Sequence, residues 1–105
     1  MSVLKKPKIL VWTAHSRVKM RQYRLSEARI RRILHTPKRI EEGIAAKTIA
    51  MMQSAGSPKH PYELWVMVQD IGSKRKVIST WRYPGVTKAG QPLPREILAE
   101  IQQAL

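Results

Sequence analysis

The sequence has 105 residues, 43% of them hydrophobic and 26% charged, which is typical of one globular domain over residues 1–105 and excludes a wholly disordered chain. The absence of cysteine excludes disulfides, thiolate catalysis and cysteine-bound zinc, and without a signal-peptide stretch or a membrane span we expect a soluble, cytoplasmic protein with no membrane partner. Lysine and arginine outnumber aspartate and glutamate by 20 to 7, and the net charge of +13 favours a polyanionic partner.

The first predicted elements are a strand and a basic helix. Lys8–Thr13 is a short apolar, partly β-branched run, a pattern typical of a buried strand. Thr13 or Ser16 then suits the N-cap of a helix that continues to about Arg24. The buried side of this helix is marked by Val18 and Leu25. Its exposed side is a stripe of guanidinium groups at i, i+4 and i+7, from Arg17, Arg21 and Arg24.

A second helix is predicted immediately afterwards. Ser26 is a favourable N-cap, Glu27 is favourable in the first turn, and Pro37 ends the helix. The side of this helix predicted to face the core carries Ile30, Ile33 and Leu34 at helical spacing. Two basic side chains, Arg29 and Arg32, are predicted to point outward.

The rest of the sequence predicts three strands and a final helix. The strands are Ala46–Gln53, Tyr62–Gln69 and Lys76–Tyr83, of which the last two form a hairpin. Arg95–Leu105 has the pattern of an amphipathic helix. The order β-α-α-β-β-β-α predicts an α+β domain, in which an antiparallel sheet of about four strands has helices packed on one face.

The basic residues are concentrated in the first part of the chain, where residues 1–40 hold twelve of them and a single acid, Glu27. A clustered basic surface attracts a polyanion through counterion release and long-range steering. We therefore expect a nucleic acid, whose backbone is docked by Arg17, Arg21, Arg24, Arg29 and Arg32. The alternatives are a generally basic composition, an anionic lipid surface and an acidic protein partner.

Several segments together resemble a known family. His15 opens a basic helix, Leu25-Ser26 precedes the next helix and Thr36-Pro37 follows it, while Tyr62–Val66 and Ile78–Gly85 supply paired strands. Over roughly residues 10–85 the chain resembles a widespread family of small prokaryotic proteins with the barnase/EndoU/colicin/RelE-like fold. The resemblance implies a RelE-like sheet with helices on one side, and an RNase or RNA-binding role of the kind found in toxin and antitoxin pairs.

Two residues of the first helix suit metal-independent RNA cleavage. This reaction needs a base for the ribose 2′-hydroxyl, cations for the phosphorane and an acid for the leaving oxygen. His15 and Lys19 lie one turn apart and share a helix face, although the resembled family often has an arginine where this chain has Lys19. The alternatives for His15 are contact with a phosphate and a structural role at the helix start.

Arg82 and Tyr83 lie on the last predicted strand. Because strand side chains alternate, Arg82 is predicted to point away from Trp81 and Tyr83. Its guanidinium suits a bidentate phosphate clamp, and the resemblance implies that this strand borders the substrate groove. The alternative for Arg82 is a salt bridge to Glu63, and the alternatives for Tyr83 are an acid, a stacking platform and a packing residue.

No metal site or cofactor is predicted. The histidines are scattered and cysteine is absent. Glu41 and Glu42 are adjacent on a predicted turn, unlike the facing carboxylates of a metal nuclease, and there is no Gly-rich phosphate loop. The tryptophans are predicted to be core residues, namely Trp12, Trp65 and Trp81.

We therefore expect a RelE-like, metal-independent endoribonuclease or an RNase-derived RNA binder. In this hypothesis the residues nearest the scissile phosphate are His15, Lys19 and Arg82, with Tyr83 as a further candidate. The alternatives are a non-catalytic nucleic-acid-binding module and a basic protein-interaction module that docks an acidic, antitoxin-like partner.

Overall fold

The computed structural model describes residues 8–43 and 47–90, together with Ala99, Gln102 and Gln103. The predicted C-terminal helix Arg95–Leu105 therefore lies outside the described residues, apart from those three, which are helical.

The described chain forms one mixed sheet with two helices. In chain order the elements are β1 (Ile9–Trp12), α1 (Ala14–Tyr23), α2 (Glu27–His35), β2 (Arg39–Glu42), β3 (Thr48–Gly56), β4 (Pro61–Ile71) and β5 (Lys74–Pro84). The sheet has five strands in the order β1-β5-β4-β3-β2. β1 is parallel to β5, and all the other neighbouring strands are antiparallel.

The α+β class is confirmed, but the predicted sheet of about four antiparallel strands and the predicted element order are wrong. The strand missed by the prediction is β2, which places Glu41 and Glu42 in a strand rather than on a turn. Its sequence Arg-Ile-Glu-Glu has one apolar residue and no alternation, because β2 is an exposed edge strand held by backbone pairing with β3. The parallel pairing of β1 arises from tertiary contacts that no local pattern encodes.

β1 is a half-exposed edge strand, not the buried strand predicted from its apolar composition. Ile9 and Val11 are exposed, while Leu10 and Trp12 on the other face pack against the core. It pairs with only the first four residues of β5, Lys74–Val77. Beyond that point α1 lies beside β5.

The first helix begins and ends as its sequence predicts, and of the two residues predicted to mark its buried side, Leu25 is buried and Val18 is not. Thr13 is the N-cap, and its Oγ1 accepts a hydrogen bond from the Ser16 amide at 2.9 Å. Val18, predicted to be buried, is 51% exposed. The buried residues of α1 are Ser16, Lys19 and Met20, because this side of the helix faces β5 and the sheet.

The sheet carries an apolar cluster on each face. On one face, α1 and α2 pack on the sheet through Met20, Leu25, Ile30 and Ile33, which meet Met51, Leu64, Val66, Val68 and Val77. On the other face, Trp65 and Trp81 stack with ring centroids 5.9 Å apart, among Ala50, Met52, Met67 and Ile78. The core assignment of these two tryptophans is confirmed, whereas Trp12 is only partly buried.

Candidate nucleic-acid interface

The connection between the two helices places several arginines close together. Arg24 ends α1 in the left-handed conformation, with φ of 56°, and the Leu25 amide donates to the Met20 carbonyl at 2.8 Å. Ser26 then caps α2 at once, and its Oγ accepts from the Arg29 amide at 3.1 Å. This short connection brings the end of α1 against the start of α2.

A cleft lies between this connection and the helix-side face of the sheet. It has a volume of about 300 Å³. We call it the arginine cleft, and it is lined by Arg24, Leu25, Ser26, Arg29, Arg32, Tyr62, Leu64 and Arg82. Four of these eight residues are arginines, which come from the end of α1, from α2 and from β5, and none is acidic.

Four of the five carboxylates in the described part of the chain form ion pairs with arginines outside the cleft. Glu27 pairs with Arg17, Asp70 pairs with Arg75, and both Glu41 and Glu63 lie within ion-pair distance of Arg39. Among the described residues no ion pair involves an arginine of the cleft. Within the part of the chain that the structure describes, the positive charge of the cleft therefore has no ion-pair partner, which raises its attraction for an anion.

Arg82 is held in the cleft from two sides. Its Nη2 donates to the Tyr23 carbonyl at 3.1 Å, and its Cζ lies 4.9 Å from the centroid of the Tyr62 ring. The Tyr62 ring in turn lies against Gly56, where φ is +81° and a Cβ would come within 2.9 Å of the ring. The guanidinium is thus oriented by protein contacts that leave some of its five donor N–H groups available.

The predicted orientation of Arg82 is confirmed, but its alternative partner is wrong. Arg82 pairs across the strands with Leu64, on the helix side, whereas Trp81 belongs to the cluster on the opposite face. Glu63 is on that opposite face too, where it accepts hydrogen bonds from Trp65 and Thr87. A salt bridge from Arg82 to Glu63 is therefore excluded by the alternation of β4 and β5.

The other three predicted catalytic residues do not line the arginine cleft. His15 Nε2 is 3.2 Å from Ser79 Oγ, which joins the start of α1 to β5. Lys19 is 6% exposed, and its Nζ donates to Gln22 Oε1 at 2.9 Å and lies 5.9 Å from the Tyr23 ring centroid. Tyr83 packs against the tryptophan cluster on the opposite face of the sheet.

The predicted backbone-binding arginines fall into two adjoining groups. Arg24, Arg29 and Arg32 line the arginine cleft. Arg17 and Arg21 line a second cleft of about 420 Å³, which also contacts Arg24. The stripe predicted on α1 and the outward pair predicted on α2 therefore meet at Arg24.

Tyr62 is the residue of the arginine cleft that the sequence reasoning missed. No local signal was present, because a regular hairpin with its turn at residues 72 and 73 would bring Leu64 opposite Trp81. A register shift at Met67/Val68 instead brings Leu64 opposite Arg82. Alternation then places Tyr62 on the same face as Leu64. The pairing register, and not the residue type, carries this information.

Within residues 8–43, 47–90 and the three described C-terminal positions, no three His, Asp or Glu side chains lie close enough to hold a metal ion. No helix in the same part of the chain is long and apolar enough to cross a membrane.

Comparison with known proteins adds no relative. No protein-family model matches the sequence, and neither the curated proteins nor the solved structures provide a match.

Proposed function

We propose that this protein is an RNA-binding domain that holds backbone phosphates in the arginine cleft. The observation that carries the proposal is the convergence of four arginines without a carboxylate partner among the described residues, Arg24, Arg29, Arg32 and Arg82. Like charges gathered without compensation cost stability, and a bound phosphate removes that cost.

The chemistry of the guanidinium group supports a phosphate ligand. Arginine presents N–H donors in a planar fork that matches two phosphate oxygens at once. Arg82 suits this role because the Tyr23 carbonyl and the Tyr62 ring already orient it, so less side-chain entropy is lost on binding. The preference for RNA over other polyanions rests on the resemblance of roughly residues 10–85 to the RelE-like family.

Binding is favoured over catalysis by the composition of the cleft. No histidine or lysine is among the residues that line it. His15, the expected general base, makes its described side-chain contact with Ser79, on the face of the sheet away from Arg82. A base for the ribose 2′-hydroxyl therefore has to come from outside the cleft lining, whereas phosphate binding needs only the arginines that are present.

The binding proposal is tested with fluorescently labelled single-stranded RNA of about eight nucleotides, titrated at several salt concentrations. Arg82→Ala is expected to weaken RNA binding about tenfold. It is also expected to reduce the slope of log K against the logarithm of the salt concentration by about 1, the change expected for one lost phosphate contact. The matched control is Lys74→Ala, which removes one exposed positive charge from the β4–β5 turn, away from the cleft. The affinity of Lys74→Ala for the labelled RNA is expected to stay within about twofold of the wild-type affinity.

Equal losses of RNA affinity in Arg82→Ala and Lys74→Ala would contradict the proposal, because a general charge effect does not distinguish the two residues. Absence of RNA binding with stoichiometric capture of an acidic protein would instead support the protein-interaction alternative.

Metal-independent RNA cleavage is the second candidate, favoured by the fixed orientation of Arg82 in the cleft. Such a clamp suits the extra negative charge of the phosphorane. The test is incubation of RNA with the protein and a chelator, followed by analysis of the product ends. Cyclic-phosphate ends that the wild type forms and Arg82→Ala does not, at protein concentrations that saturate the RNA, would establish cleavage at this cleft; intact RNA would leave binding as the function.

A further inference from the structure

The second cleft differs in character from the arginine cleft beside it. It has a volume of about 420 Å³ and is lined by Arg17, Met20, Arg21, Arg24, Leu25, Ser26 and Glu27. Met20 and Leu25 are each 7% exposed and form part of the apolar cluster under the helices, so they give the cleft an apolar surface. Guanidinium groups and one carboxylate surround that surface.

These side chains suit a nucleobase. A base has two apolar faces, which bury favourably on methionine and leucine and also stack on guanidinium planes. The edge of a base carries amino and carbonyl groups. The guanidinium of Arg21 is able to donate to the carbonyl groups, and the Glu27 carboxylate is able to accept from the amino groups. Glu27 keeps a position at the cleft because Arg17 Nη1 donates to its Oε2 at 3.1 Å, and both side chains remain nearly half exposed.

The two clefts are contiguous. Arg24, Leu25 and Ser26 line both of them, so the helix connection forms their common wall. A ligand that places a phosphate against Arg29, Arg32 and Arg82 therefore has a neighbouring recess for the next part of its structure. In a polynucleotide, the group attached next to a phosphate is a nucleoside.

We propose that the second cleft receives one unpaired nucleobase, and that the substrate class of this domain is therefore single-stranded RNA. This inference rests on the proposed function, because the phosphate next to that base is assigned to the arginine cleft. Duplex RNA is excluded from this mode because its bases are stacked and paired, and one base would have to be extruded before it could enter the cleft.

The experiment measures the affinities of two probes of equal length and charge, a labelled octamer RNA and an octamer made of abasic spacer phosphates. Wild-type protein is expected to bind the base-containing octamer about 5- to 10-fold more tightly, and more tightly than a duplex of the same sequence. Arg21→Ala is expected to bring the ratio of the two single-strand affinities close to one. Arg21 is exposed and helical, so alanine preserves the helix.

Arg82→Ala is the matched control, since Arg82 lines the arginine cleft and not the second cleft. It is expected to weaken both octamers alike and leave their ratio unchanged. Because both probes carry the same charge, the general electrostatic loss in each variant cancels in the ratio.

The affinities of the two octamers and of the duplex distinguish the nucleobase site from the proposed function. Salt-dependent binding with equal affinities for the base-containing and abasic octamers would overturn the nucleobase site and leave phosphate binding in place. A base preference that survives Arg21→Ala, or a duplex affinity equal to the single-strand affinity, would also overturn it. Failure of the wild type to bind either octamer would overturn the proposed function itself.

Discussion

Tyr62 has a specific relation to Arg82 in the arginine cleft. Its Cδ1 and Cε1 atoms lie close to Gly56, and the guanidinium of Arg82 lies 4.9 Å from the ring centroid. A glycine is required at position 56, because φ is +81° and a Cβ would meet the His60 carbonyl as well as the ring. The ring therefore acts as a support that orients Arg82.

Tyr62→Leu is expected to weaken RNA binding about two- to fivefold, because it removes the cation–π contact while retaining apolar bulk. Tyr62→Phe keeps the ring and is expected to bind like the wild type. The measurement is the affinity for the labelled octamer at low salt. Equal losses in the leucine and phenylalanine variants would assign the effect to the hydroxyl and contradict a supporting role for the ring.

Glu63 serves the opposite face of the sheet. It is 1% exposed and accepts hydrogen bonds from Trp65 Nε1, at 3.1 Å, and from the amide and hydroxyl of Thr87. Arg39 lies 3.6 Å from its carboxylate and also donates to the Thr87 carbonyl. These bonds attach the segment after β5 to the strands beneath it.

Glu63→Gln is expected to lower the free energy of unfolding by about 3 kcal/mol, because it leaves the Arg39 charge less well compensated in a partly buried site. The measurement is urea unfolding at neutral pH. Glu42→Gln on β2, at an exposed position, is the control, with an expected change below about 0.5 kcal/mol. Similar changes in the two variants would show that the buried network does not stabilise the fold.

The elements differ in how far the sequence determined them. α2 followed from Ser26 and the spacing of Ile30 and Ile33, because capping and helical periodicity are local properties. The β4–β5 hairpin followed from two apolar runs around a turn. β2 could not be predicted, since an exposed edge strand needs no apolar pattern and depends on its neighbour for pairing.

The β4–β5 hairpin is closed by an ion pair near its turn. Asp70 and Arg75 are cross-strand partners, with two hydrogen bonds from Arg75 to the carboxylate at 2.7 and 2.9 Å. These hydrogen bonds hold the pKa of Asp70 below its ordinary value of 3.8 and raise the pKa of Arg75. The pair therefore stabilises the fold at pH values above the ordinary carboxyl pKa, and the contribution is lost as the pH falls through the lowered pKa.

Asp70→Asn is expected to lower the free energy of unfolding at pH 7 by about 0.5–1 kcal/mol, a modest value because both side chains are partly exposed to solvent. The difference from the wild type should shrink as the pH falls below the ordinary carboxyl pKa. Urea unfolding measured from neutral to acid pH checks this. A difference of constant size across that range would contradict the assignment to the Asp70 charge.

At the scale of the whole molecule, the sequence predicted the net positive charge but not which basic residues meet in space. The excess of basic residues up to position 40 is visible by counting. Arg82 joins Arg24, Arg29 and Arg32 through the packing of α1 on β5 and of α2 on β3 and β4, and these contacts have no local sequence signal. The same packing leaves His15 and Tyr83 outside the cleft, although the sequence reasoning grouped them with Arg82.

Uncompensated charge in the arginine cleft should also be measurable as a cost in stability. Arg32 lies three residues after Arg29 on α2, and like charges at this spacing destabilise a helix by about 0.2–0.5 kcal/mol. Arg32→Gln is therefore expected to raise the melting temperature of the free protein at low salt by about 2 °C, while weakening RNA binding. Added salt should shrink the stability difference by screening the repulsion.

Arg17→Gln is the matched control for this prediction, because Arg17 is an exposed helical arginine that does have a carboxylate partner, Glu27, at 3.1 Å. The same substitution there removes an attraction instead of a repulsion and is expected to leave the melting temperature unchanged or lower it slightly. Thermal unfolding of the two variants at low and high salt, without RNA, makes the comparison. If both substitutions shift the melting temperature in the same direction, net charge and not its local arrangement governs stability, and the cleft carries no special repulsion for a phosphate to relieve.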